Sequence, residues 1–159
     1  MVGSDAGGNL LDALVETSKG MQKREAKRKI IAVLMMDDSI EFSNRYHQQV
    51  LDELDKGGAV LHVDGLGTPS VNLSDEVRNR NQVIANGTER TGGRRQQVLA
   101  LTGAESQMKQ LAGELLNQYV VTYARPDTLI PPEKIEVTVT KPGLKARART
   151  RTGLAGAKK

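Results

Sequence analysis

Residues 29–38 read Lys29-Ile30-Ile31-Ala32-Val33-Leu34-Met35-Met36-Asp37-Asp38. Seven apolar residues in succession stop at two aspartates. So short a run, opened by β-branched residues, predicts a strand buried on both faces. Such strands belong to parallel sheets covered by helices, and those sheets bind ligands beyond the carboxyl ends of their strands. Asp37 and Asp38 stand at that place and are the first candidates for a site. The plainer reading makes them solvated residues where the strand leaves the core.

On the amino-terminal side, Leu10, Leu11, Leu14, Val15 and Met21 fall on one face at helical spacing, with Asn9 placed to cap the helix. On the other side, Phe42, Tyr46, Val50, Leu51 and Leu54 predict a second amphipathic helix over about 41–56, closed by Gly57-Gly58. Residues 59–64, Ala-Val-Leu-His-Val-Asp, are a second short apolar run. Strand, helix and strand in this order make a βαβ unit with parallel neighbours. His62 lies inside the second strand and reads as a satisfied interior residue.

Beyond it, 65–70 is a loop, 73–85 carries a few weak helical anchors, and Thr91-Gly92-Gly93-Arg94-Arg95 reads as a turn with two basic side chains. The glycine pair has no Gly-Lys-Ser/Thr and no strand before it, which excludes a phosphate loop. Met108, Leu111, Ala112, Leu115 and Leu116 predict a helix over 105–118, followed by a strand at 119–124. Residues 134–140 and 144–149 alternate with period two around Pro142-Gly143, which predicts a type II turn in a β-hairpin. The fold class that results is α/β: a partial doubly wound, Rossmann-like parallel sheet with a carboxy-terminal antiparallel β-hairpin over 5–150, then a disordered basic tail at 151–159.

Composition narrows the functions. The 159 residues hold no cysteine, no tryptophan and one phenylalanine, so there is no disulfide frame and no thiolate metal site. No apolar run approaches the length of a membrane span, and the first residues show no signal peptide. The net charge of +4 owes much to residues 145–159, which contain no acid. Arg147, Arg149, Arg151, Lys158 and Lys159 could contact phosphates, but no aromatic platform accompanies them, so nucleic acid is an unlikely partner. Without cysteine, and with neither His47 nor His62 beside a serine in sequence, no nucleophile–base pair is visible, and the reading is not an enzyme.

Several stretches together resemble the bacterial VWFA-related branch of the von Willebrand factor type A (VWA) family. Gly7-Gly8-Asn9-Leu10-Leu11-Asp12-Ala13-Leu14 is similar to that family's Gly-Gly-Thr-x-Leu-x-Asp-Ala-Leu helix start. Residues 30–38 resemble its fourth strand, 59–65 its fifth, and Thr91-Gly92-Gly93-Arg94 its Thr-Gly-Gly-Arg turn. Residues 111–123 are similar to its final helix and strand, and 134–149 to its closing hairpin. The likeness covers only the second half of the family's domain. It lacks the first strand, whose Asp-x-Ser-x-Ser helps to hold Mg²⁺ in the metal-ion-dependent adhesion site. Carried over by position, Asp37 stands at the family's further metal-ligating Asp, Asn9 at its Thr, and Asp38 in place of a Gly. The resemblance implies a protein-interaction module with an incomplete site and weak or absent Mg²⁺ binding. It also implies an unknown protein ligand, self-association through an open sheet edge, and a family that is often extracytoplasmic.

The same residues admit two other readings. Asp37-Asp38-Ser39-Ile40-Glu41 could itself be a degraded Asp-x-Ser-x-Ser, but that register leaves the Gly-Gly helix before the strand unexplained. Asp37-Asp38, Asp64 and Lys141 resemble the acid pair, phosphoacceptor and lysine of a response-regulator receiver, the enzymatic alternative. Asp38 and Asp64 are too close in sequence to hold the strand and helix that a receiver needs between them.

Overall fold

The computed structural model describes residues 8–26, 28–69, 71, 74–119 and 135–149. Strands β1 (Ile30–Met36), β2 (Val60–Leu66) and β3 (Arg95–Val98) form one sheet in the order β1-β2-β3. Both pairings are parallel, Ile30 facing Val60 and Val63 facing Arg95. The helices are α1 (Leu10–Gln22), α2 (His47–Gly57), α3 (Asp75–Thr91) and α4 (Ala104–Leu116), the last preceded by a 3₁₀ turn at Leu101–Gly103. This is the expected βαβ arrangement, and the chain is α/β with a Rossmann-like three-stranded parallel sheet flanked by helices.

Alternation along the strands divides the sheet into two unlike faces. Ile31, Leu61 and Val63 point into one apolar core with Leu11, Leu14 and Val15 of α1, Val50, Leu51 and Leu54 of α2, and Val83 and Ile84 of α3. Burying each Leu, Ile or Val stabilises the fold by about 1.5–3 kcal/mol. The opposite face carries His62 and Asp64, both buried, and Arg94 links Asp64 to Glu114 of α4.

The structure departs from the sequence expectations in four places. First, β1 lies at the expected open edge but is not buried on both faces. On its second face Leu34 and Met36 are each 52% exposed, because neither a helix nor another strand covers them among the described residues. Second, α2 starts at His47 and not near Glu41. The backbone before it is used elsewhere: Gly8 donates to the Ile40 carbonyl at 2.8 Å, and Phe42 donates to the Gly8 carbonyl at 2.9 Å. Asn79 of α3 then receives the His47 amide at 3.2 Å and caps α2 from outside.

Third, the turn expected over 91–95 is made at Gly92, and its last residue, Arg95, opens β3, a strand with no apolar pattern to announce it. Fourth, Lys141 accepts a hydrogen bond from Leu144 across Pro142-Gly143, and Gly143 has φ +80°, as a type II turn requires. The flanking residues 135–140 and 144–149 are nonetheless not in strands. The strand expected at 119–124 falls almost wholly outside the described residues, and the tail at 151–159 wholly so.

Candidate functional site

Asp37 follows the last residue of β1, and its amide donates to the Leu66 carbonyl of β2 at 2.8 Å. Its side chain turns toward the helix-covered face and is 4% exposed. The space it occupies exists because β2 carries Gly65 there. A Cβ at that position would stand 2.5 Å from Asp37 Oδ1 and 2.7 Å from Oδ2. Arg95 Nη2 of β3 lies 3.9 Å from Asp37 Oδ1, and Oδ2 has no hydrogen-bond partner among the described residues.

Arg80 of α3, 1% exposed, reaches into the same loop. Its Nη1 donates to the Ser39 carbonyl at 2.7 Å and to Ser39 Oγ at 3.0 Å, and its Nη2 donates to the Asp37 carbonyl at 3.1 Å. Burial pushes the Arg80 pKa down, and the charges of Glu41 and Asp37 push it back up. Glu41, 2% exposed, serves α1. Its Oε2 accepts from the Leu10 amide at 3.3 Å and its Oε1 from the Ser43 amide at 3.0 Å. Ser43 Oγ accepts from the Asp12 amide at 3.1 Å. Two residues of the 37–43 loop thus satisfy the open amides at the start of α1, where a helix favours negative charge.

The three residues named as metal candidates differ in burial. Asp37 is buried in the site, while Asp38 and Asn9 are exposed. Asn9 occupies the N-cap position but makes no side-chain capping bond, because Glu41 and Ser43 have taken that work. The donor set does not suit Mg²⁺, which takes near-octahedral oxygens. Both Glu41 oxygens and the Asp37 and Ser39 carbonyls already accept from N–H groups, and two guanidinium groups lie alongside. No group of three or more His, Cys, Asp or Glu that could hold a metal occurs among the described residues. The receiver constellation does not assemble either: Asp64 is 1% exposed on the other face of the sheet, and Lys141 is exposed in the turn.

A second polar cluster lies between β2 and α4, and sequence reading missed it. Arg94, 3% exposed, donates to Glu114 Oε1 and to the Gln107 carbonyl, each at 3.0 Å, and stands 3.8 Å from Asp64 Oδ1. Arg147 closes on Glu114 from the other side. His62 is buried here, but neither ring nitrogen has a partner among the described residues, so it is an interior histidine without the expected satisfaction. Burial first, then the Arg94 and Arg147 charges, lower the His62 pKa below the ordinary value, with Glu114 and Asp64 opposing.

The Thr91-Gly92-Gly93-Arg94 turn is what delivers Arg94. Thr91 Oγ1 accepts from the Leu61 amide at 2.9 Å, Gly92 takes φ +77°, and Gly93 passes so near β2 that a Cβ would lie 1.8 Å from the Leu61 carbonyl oxygen. The signal available in the sequence was this glycine pair directly before a strand of unknown polarity. Arg149, counted with the basic tail in the sequence, instead donates to the Asp55 carbonyl in the last turn of α2 at 2.8 Å. No helix among the described residues is long and apolar enough to cross a membrane. No protein-family model matches the chain, and neither a curated protein nor a solved structure is significantly similar to it.

Proposed function

We propose that the chain is a protein-interaction module of the VWA type, corresponding to the second half of such a domain and closed by a hairpin over 134–149. It performs no covalent chemistry, and it binds Mg²⁺ weakly or not at all. The observation that carries the reading is the position of β1. This strand pairs with β2 alone among the described residues, leaves its outer backbone groups and the Leu34 and Met36 side chains open, and ends in the buried Asp37. An unpaired apolar edge is a template for another strand. In the proposed function that edge, with the loop at its carboxyl end, receives a protein partner or a second copy.

Sedimentation velocity over a range of concentrations tests the edge. Concentration-dependent association is expected, and a stable monomer throughout would count against the proposal. Incubation with radiolabelled acetyl phosphate tests the absence of phosphoacceptor chemistry. No incorporation is expected. Labelling that disappears in Asp64→Asn would replace the interaction module by the receiver reading.

A further inference from the structure

In the loop of residues 37–43 the Asp37 and Ser39 carbonyls and both Glu41 carboxylate oxygens accept from donors of the same chain, while the Asp38 side chain is exposed. Two carboxylates, Asp37 and Glu41, are nearly inaccessible, and between them lie the carbonyls of Asp37 and Ser39. Buried carboxylates need compensating charge or hydrogen bonds. In a parallel sheet a divalent ion at the carboxyl edge could supply that charge. Here Arg80 fills the interior of the loop with three short bonds to its oxygens, and Arg95 stands beside the Asp37 carboxylate. The amides of Leu10 and Ser43 account for Glu41. Ser39 Oγ is also committed, because it donates to the Met36 carbonyl at 2.8 Å. Asp37 Oδ2 is the one carboxylate oxygen of Asp37 and Glu41 left without a described contact, and a single oxygen cannot replace the hydration shell of Mg²⁺.

We infer that the carboxyl-edge site is metal-independent, with Arg80 as its permanent internal cation and Arg95 as its outer counter-charge. The planar guanidinium suits this place because its fixed fork reaches two carbonyls and a hydroxyl from two separate nitrogens, whereas a lysine carries all its donors on one. The consequence for binding is that the 37–43 loop, and the exposed Asp38 it presents, hold one shape whether or not divalent ions are present. The inference rests on the loop's own contacts and stands whether or not the chain is an interaction module.

The test uses the full chain and hydrogen exchange of the Gly8, Leu10, Phe42 and Ser43 amides, which report the closed loop. In the native protein their protection is expected to be the same in MgCl₂, MnCl₂ and EDTA. In Arg80→Met they are expected to exchange at least about tenfold faster, with Arg80→Lys restoring little of the loss. Protection that collapses in EDTA would overturn the inference, as would native protection in Arg80→Met. Should Arg80→Met fail to fold, Mn²⁺ titration of the native chain followed by calorimetry decides alone. No saturable binding, or binding unchanged in Asp37→Asn, supports the internal cation. Saturable binding lost in Asp37→Asn refutes it.

Discussion

Replacing Gly65 by alanine tests whether the Asp37 carboxylate is held where the structure puts it. The added Cβ would lie 2.5 Å from Oδ1 and 2.7 Å from Cγ. Carbon and oxygen normally keep well over 3 Å apart, so the side chain must leave its place or the strands must part. Overpacking of this kind costs about 1–3 kcal/mol. Gly65 has no positive φ, so alanine is not strained by its backbone. Relief of glycine's conformational entropy would by itself favour alanine by about 0.5–1 kcal/mol. In an Asp37→Ala background the obstacle is gone and only this gain remains. The entropy gain is common to both backgrounds and cancels, so the two substitutions should be non-additive by the overpacking cost, about 1–3 kcal/mol, in a double-mutant cycle. Urea denaturation of the four proteins measures the cycle, with melting shifts of about 2–4 °C per kcal/mol as a second reading. Additivity within about 0.3 kcal/mol would mean that the carboxylate does not sit over Gly65.

Gly93→Ala should destabilise at or beyond the upper end of about 1–3 kcal/mol, because its Cβ meets the Leu61 carbonyl and not a movable side chain. Gly20→Ala, in open space on α1, should raise the denaturant midpoint, and equal effects at the two positions would contradict the close approach at Gly93. His62 has a lowered pKa in the folded chain, so the unfolded chain binds its proton first as pH falls. Its contribution to stability is full above the ordinary value of about 6.5 and is lost progressively below it, down to the folded value. His62→Gln should flatten that part of the pH–stability curve, and an unchanged slope would show that His62 is not held neutral. Leu34→Lys with Met36→Lys should abolish self-association while changing stability by no more than about 0.5 kcal/mol per exposed site. Undiminished sedimentation coefficients would place the contact elsewhere.

The parts of the fold legible in the sequence were those whose signal is apolar and periodic. The runs at 30–36 and 59–64, the helix between them and the closing Gly58 could be read because the core they share is built from aliphatic residues. β3 could not be read in this way. Arg95, Gln96 and Gln97 join the sheet through the backbone ladder and polar side chains, and hydrophobicity carries no trace of that. The site was legible at Asp37, whose position after an apolar run follows from sheet geometry. Arg80 was hidden among the polar residues of α3, since a guanidinium buried by hydrogen bonds to carbonyls resembles an exposed one in sequence. Phe42 and Tyr46 misled because their spacing imitates a helix face. They are 62% and 59% exposed on irregular backbone, where Glu41 and Ser43 are the residues turned inward.

The bond from Arg149 to the Asp55 carbonyl bears on the order in which the protein assembles. Residues 55 and 149 are 94 positions apart, whereas the Thr91–Leu61 contact beside β2 spans 30. Closing the longer span costs about 1 kcal/mol more in loop entropy than the shorter one. On a ribosome the three parallel strands and α1–α3 would also emerge well before residue 149. The sheet can therefore form first, leaving the last carbonyls of α2 to water until the end of the chain arrives. A nascent chain halted after β3 would already hold Asp37 and Arg80 together. The far end would come in afterwards, as a late and separately reversible step of folding.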